Sequence, residues 1–232
     1  MIGFDRPLKP RWIYETLLLV EPGQKISELK KPFESIAIEL TGKEGKRKVR
    51  TVLFRSFIRD DNKARVKREL MLKKLTEEYD LEFMTPIYLF YLIGKTPVVY
   101  KISEHIFRLY GFGEEINLSF LKNKLVDIYG ERDVVKRSVG SFIKTLIFFG
   151  VVKECNSKKI LKNKLQVNEE QFRIMIQLLS YEIICSPQIS LTHLPKIFMF
   201  FELPDLQIVA QKYIGRYWDY QHRVKDELLI VF

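Results

Sequence analysis

Cysteine is nearly absent from this chain: Cys155 and Cys185 are the only two among 232 residues. Two thiols cannot build a disulfide framework, and no Cys-x-x-Cys is present to hold zinc or cycle electrons, so a reducing cytoplasm is the expected setting. Both cysteines read as small apolar fillers. Glycine (11) and proline (9) are too scarce for a fibrous or linker-rich chain. Histidine is scarcer still, with His105, His193 and His222 far apart in sequence. His105 sits between apolar neighbours and reads as a hydrogen-bonded structural residue. There is no Gly-x-x-x-x-Gly-Lys loop, no Gly-x-Gly-x-x-Gly, no His-Glu-x-x-His and no Gly-x-Ser-x-Gly. Glu77-Glu78 and Asp60-Asp61 fit a helix end and an N-cap better than a metal site. No catalytic constellation remains, so no enzyme activity and no cofactor are expected.

Long apolar runs are missing as well. Phe83 to Gly94 is interrupted by Pro86, and residues 189–209 are broken by Lys196, Glu202, Pro204 and Asp205. Neither reaches the roughly 18–20 residues of a membrane span. Leu17 to Val20 follows Glu15 and is too short for the core of an export signal.

What the chain does have is aromatic and basic residues. Seventeen Phe and eleven Tyr, within 47% apolar residues, supply large side chains for a core; Tyr88, Phe90 and Tyr91 read as core packing. The 39 basic against 29 acidic residues leave a net charge of +10, which favours an anionic partner. The excess is local. Residues 43–74 hold 13 basic and 4 acidic residues, and 97–167 hold 13 and 7, whereas 1–42 balance at 6 and 6. The stretches 75–96 and 168–232 are acidic by three and two charges. Two separate basic surfaces are implied.

Helical periodicity dominates the first ninety-odd residues. Helices are expected at Arg11–Val20, at Ile26–Leu40 with Ser27 as N-cap, at Glu44–Arg59, at Lys63–Tyr79 behind an Asp60-Asp61-Asn62 cap, and at Met84–Ile93. In the third, Val49, Val52, Leu53 and Phe57 form the apolar side. Lys48, Thr51, Arg55 and Arg59 fall opposite as a solvent-facing basic stripe, which Lys46 and Arg47 extend.

The middle of the chain is the most informative. Pro97 can start a helix whose apolar side is Val99, Ile102, Ile106 and Leu109. A short extended piece at Ile116 precedes a helix over Ser119–Tyr129 with Leu118, Leu121, Leu125 and Ile128 inward. Gly130 breaks it, and Asp133 offers an N-cap to a helix running to Phe149. There Val135, Val139, Phe142, Leu146 and Phe149 form the buried stripe. Two strands, Val151–Glu154 and Ile160–Val167, enclose a tip at Asn156-Ser157-Lys158-Lys159. After 168, helices at 169–186, Pro195–Phe201 and Leu206–Trp218 are expected, then a strand within Arg223–Phe232. That strand either pairs with the hairpin or forms an interface, and Tyr217, Trp218 and Tyr220 pack the last helix.

The Gly130 break, the Phe-Phe-Gly-Val-Val run at 148–152 and the Lys-rich hairpin resemble a winged helix-turn-helix domain over about 97–167. That resemblance implies a second helix entering the DNA major groove, with Lys136, Arg137, Ser141 and Lys144 facing the duplex. It also implies a wing touching phosphate or the minor groove, with Lys158, Lys159 and Lys162. The whole-chain order, from Ile26–Leu40 and Lys46-Arg47-Lys48-Val49-Arg50-Thr51 through Lys136-Arg137-Ser138 to Trp218, is similar to the BrxA proteins of bacterial BREX phage-defence systems. This second resemblance implies a NusB-like N-terminal helical domain. The expected architecture is therefore mainly α: a helical domain over 1–95, a winged helix-turn-helix domain over 96–167, and a C-terminal helical segment over 168–232 ending in a strand. The expected function is non-enzymatic binding of double-stranded DNA as an accessory protein, without membrane association and with other subunits of a defence complex as further partners. The alternative is a protein-interaction adaptor whose winged domain and basic stripe bind partner subunits.

Overall fold

The computed structural model describes residues 3–59, 64–223 and 226–232, and the chain is mainly helical. Pro10 opens α1 (Pro10–Leu19), where its missing N–H costs nothing, and Trp12, Ile13, Thr16 and Leu17 turn inward. The expected helix over 26–40 shrinks to α2 (Lys30–Ile36). Pro32 explains the late start: in a helix begun at Ile26 it would be interior and its ring would clash with a carbonyl one turn back, whereas here it lies in the first turn. The Ile26 N–H instead donates to the Ala64 carbonyl (3.0 Å), so Ser27 caps nothing.

Helix α3 (Lys43–Leu53) runs on through a π-helical turn at Phe54–Ile58, and Val49, Val52, Leu53 and Phe57 are all buried. The expected helix over Lys63–Tyr79 is confined to α4 (Met71–Glu78). The Asp60-Asp61-Asn62 cap lies outside the described residues. Arg65 and Val66 form β-bridges to Lys25 and Arg59, and the backbone here is taken by other segments: Val66 N–H donates to Gln24 O and Lys67 N–H to Ile58 O, each at 2.9 Å. Asp80 caps α5 (Leu81–Lys95), accepting from the Phe83 N–H, and Tyr88, Phe90 and Tyr91 are fully buried in it. No described helix is long and apolar enough to cross a membrane.

Pro97 starts α6 (Pro97–Leu109), and Asn117 caps α7 (Leu118–Tyr129). Leu121 and Leu125 are buried as expected, but Ile128 and Leu109 are exposed. Gly130, at φ +79°, separates α7 from α8 (Asp133–Phe148). The residue at the N-cap is Arg132, so Asp133 acts as the acidic first residue of the helix and not as its cap. The hairpin pairs β1 (Val152–Cys155) with β2 (Lys158–Leu161) in antiparallel register. Its turn is Asn156-Ser157, with φ of 47° and 66°, the left-handed pair that matches strand twist. The second strand stops at Leu161, well short of Val167. Ile116 N–H donates to Lys159 O (2.7 Å) and Leu161 N–H to Glu114 O (3.1 Å), so the extended piece before α7 flanks β2. Both cysteines are exposed, contrary to their reading as fillers.

Beyond the hairpin, β3 (Leu165–Gln166) pairs in parallel with β5 (Phe201–Glu202). Between them lie α9 (Glu169–Leu178), opened by an Asn168–Gln171 capping box and extended by a π turn at Leu179–Ile183, and β4 (Gln188–Ser190). The stretch expected as a helix at 195–201 is a 3₁₀ turn at Lys196–Phe200. Helix α10 (Leu206–Lys212) ends six residues before Trp218, which instead begins β6 (Trp218–Arg223) and donates its indole N–H to Ala210 O (2.9 Å). The C-terminal strand, β7 (Asp226–Val231), is the centre of an antiparallel sheet of order β4-β7-β6 and does not pair with the hairpin.

One connected set of buried apolar residues links all three expected segments. The 3₁₀ turn is the wedge: Phe198 meets Phe90 of α5 at 4.9 Å and Phe172 of α9 at 5.7 Å, while Phe200 meets Phe107 of α6 at 4.3 Å and Phe142 of α8 at 6.3 Å. Edge-on and tilted aromatic contacts of this kind each add roughly 0.5–1.5 kcal/mol to the burial of the rings.

Candidate nucleic-acid interface

Helix α8 sorts its residues as its period dictates. Val135, Val139, Phe142, Leu146 and Phe149 are buried, Arg137 and Lys144 are exposed, and Lys136 and Ser141 are half-buried. Lys136 is held by Glu131 (2.6 Å), whereas neither Arg137 nor Lys144 forms an ion pair among the described residues.

One flank of α8 carries a strap made by residues 3–8, a feature without a periodic signal. The Phe4 N–H donates to the Ser138 hydroxyl (2.7 Å) and the Leu8 N–H to the Thr145 hydroxyl (3.0 Å). Those hydroxyls are seven residues apart, two turns or about 10 Å of helix, so the strap runs along the axis. Phe4 and Leu8 are fully buried, and the Phe4 ring stands edge-on to Phe142 at 6.2 Å. Gly3 begins the strap at φ +147°, where a Cβ would lie 2.3 Å from Val134 Cγ2. Any side chain there would be strained by the positive φ and would have to displace Val134.

The strap also changes the reading of the α3 stripe. Arg55 does not project freely into solvent; it is half-buried and its guanidinium donates to the Gly3 carbonyl at 2.5 Å. Burial lowers its pKa, a drop that Asp5 opposes, and it stays cationic at any physiological pH. Lys46 donates to Glu34 O (3.1 Å), and Arg47 grips Glu44 through two hydrogen bonds (3.0 and 2.8 Å), holding that carboxyl below its ordinary range. Thr51 donates back to Arg47 O (2.9 Å), Lys48 is half-buried, and Arg59 is exposed but lies past the helix in extended backbone.

Two concavities meet at the strap. One, of about 340 Å³, lies between Gly3, Asp5, the α3 residues Arg47, Lys48 and Thr51, and Arg55 of the π turn that continues α3. The other, of about 390 Å³, lies between Asp5, Arg6 and the α8 residues Lys136, Arg137, Ser141 and Lys144, with Lys122 of α7 on its rim. Asp5 lines both. The two basic segments therefore do not form two separate surfaces; they adjoin across one strap. Arg6 and Lys122 belong to this face and were missed. Lys122 follows inward-facing Leu121 by one position and could have been placed on the α8 side, but nothing in the sequence points to Arg6.

Two of the three hairpin lysines are engaged by carboxylates. Lys158 and Lys159 lie on β2 and not at the tip, and each meets a carboxylate, Lys158 that of Glu115 (2.9 Å) and Lys159 that of Glu154 directly across the ladder. Lys162 is exposed. Among the described residues no group of three His, Cys, Asp or Glu side chains could hold a metal ion. His105 is buried with both ring nitrogens unpartnered, not hydrogen-bonded as expected, and burial lowers its pKa. Compared with models of known protein families, with curated proteins and with solved structures, the chain matches none.

Proposed function

We propose that this protein is a non-enzymatic accessory protein that binds double-stranded DNA through the face shared by α8, the strap and α3. The observation that carries the reading is the meeting of two distant basic segments around Asp5, with Arg137 and Lys144 left without ion pairs among the described residues. Phosphate neutralisation supplies most of the affinity of such a face, and side chains on an exposed helix can reach base edges. The order of α6, an extended piece, α7, α8 and a hairpin supports a winged helix-turn-helix reading, because the extended piece bonds to β2 as the third strand of such a wing would. A setting in a BREX-type defence system is the proposed context and rests on the resemblance to BrxA proteins.

A mobility assay against salt is the test. At a slope of about 0.9 per phosphate, four contacts cost roughly 150-fold in affinity between 50 and 200 mM salt. A change below about threefold would refute the reading. The adaptor reading is favoured by one observation: Phe120 and Ile128, two turns apart on α7, are both exposed.

A further inference from the structure

We propose that Gly140 is a close-approach point at which a phosphodiester of the DNA backbone sits directly against α8, an inference that rests on the DNA reading above. Gly140 is the eighth of sixteen helical residues and is exposed. Glycine is the least favourable residue for a helix interior after proline, so a fold keeps one there when a neighbour leaves no room for a side chain. Gly94 is such a case: a Cβ there would come within 2.6 Å of Ile183 and 2.7 Å of Ile197. At Gly140 a Cβ would have no heavy atom within 4 Å. Nothing inside the fold calls for this glycine.

Its surroundings point to an external occupant. Gly140 lines the concavity of about 390 Å³ together with Arg6, Lys122, Arg137, Ser141 and Lys144. The hydroxyls of Ser138 and Thr145 turn back onto the carbonyls of Val134 (2.7 Å) and Ser141 (3.0 Å) and accept the strap's N–H groups. The Ser141 hydroxyl makes no hydrogen bond among the described residues. A donor, cations and bare helix backbone thus converge on one hollow, which is the chemistry of an anionic oxygen brought closer than a side chain would allow. The anion belongs to a polymer because the cations continue past Asp5 onto α3. A carboxylate at the junction repels an ion seated centrally and leaves room for successive phosphates on either side.

The test compares the wild type with Gly140→Ala and Gly140→Leu, by fluorescence anisotropy on a duplex and by thermal unfolding. Alanine should raise Tm by roughly 2–4 °C, since it is the better helix former, while weakening binding by several-fold. Leucine should weaken binding by more than about tenfold and lower the salt slope by about one contact. Inorganic phosphate should compete no better than sodium chloride at equal ionic strength. If the wild type binds with a steep salt dependence but both variants bind within about twofold of it, the inference is wrong and the DNA reading stands. Specific competition by phosphate would also overturn it, making the hollow a small-anion site. If the wild type shows no salt-dependent binding, the DNA reading fails and this inference falls with it.

Discussion

Phe4→Ala tests whether the strap is a built part of the fold or a loosely laid segment. The ring is fully buried and stands edge-on to Phe142 at 6.2 Å, and its own N–H is bonded to the Ser138 hydroxyl. Truncating a buried phenylalanine costs roughly 3–5 kcal/mol in lost transfer and cavity energy, and the edge-on contact places this site toward the upper end. In a domain of this size each kcal/mol lowers Tm by roughly 2–4 °C, so a fall of about 6–20 °C is expected by circular dichroism. Thr145→Val, nearly isosteric, strands the buried Leu8 N–H at about 1–3 kcal/mol. Both changes act on one strap. Once Phe4 is gone the second loss should be smaller, and the double mutant should fall short of additivity by more than about 0.5 kcal/mol. A cost below about 1 kcal/mol for Phe4→Ala, or strict additivity, would mean that residues 3–8 do not hold the face together.

Replacing Arg137 and Lys144 with Ala should lower the salt slope of DNA binding by about 1.8 while leaving stability within about 0.5 kcal/mol, whereas Leu146→Ala should cost roughly 2–5 kcal/mol; equal melting shifts in the two proteins would show that the faces of α8 are misassigned. Asp5→Asn removes the carboxylate that lines both hollows and should strengthen duplex binding, and unchanged anisotropy titrations would mean that the DNA does not cross the strap. Burial and nearby Arg108 press the His105 pKa below 6.5 in the folded state, so the unfolded chain takes up the proton first. Stability should then fall as pH drops below about 6.5, and His105→Phe should flatten Tm against pH over that window; an unaltered profile would exclude His105 as the source.

The helices that the sequence announced clearly were those with an uninterrupted period and a chemical start signal. Pro97 opens α6 as expected and the inward stripe of α8 is buried residue for residue, whereas Pro10, Asp80 and Asn117 start α1, α5 and α7 one to three residues before the periodic stretches that were read as helix. The misread segments share a different cause, because partners distant in sequence decide their backbone. Arg65 and Val66 are bridged and not helical because residues 24–25 and 58–59 bond this stretch, and Trp218–Arg223 is a strand because β7 lies alongside. Arg55 shows the same limit at the level of a side chain. The helical period put it on a solvent-facing stripe, but its partial burial comes from a strap 52 residues earlier, which no window of sequence contains.

The distribution of ion pairs bears on the proposed interface in a way that a charge count along the chain does not. Lys158 and Lys159 add to the basic total of the hairpin, yet Glu115 and Glu154 neutralise them locally; Lys46, Arg47 and Lys136 are likewise engaged by neighbours. A paired surface cation must give up its partner before it can meet phosphate, so it contributes less to binding than a cation without one. Arg137, Lys144 and Lys122 are among the cations that form no ion pair among the described residues, and all three border the hollow beside Asp5 and Arg6. On the proposed reading, local pairing lessens the part of Lys158 and Lys159, and folding adds Arg6 of the strap and Lys122 of α7 to the face. The anionic partner is therefore expected at the junction of α7, α8 and the strap, with α3 at its border and the wing contributing mainly through Lys162.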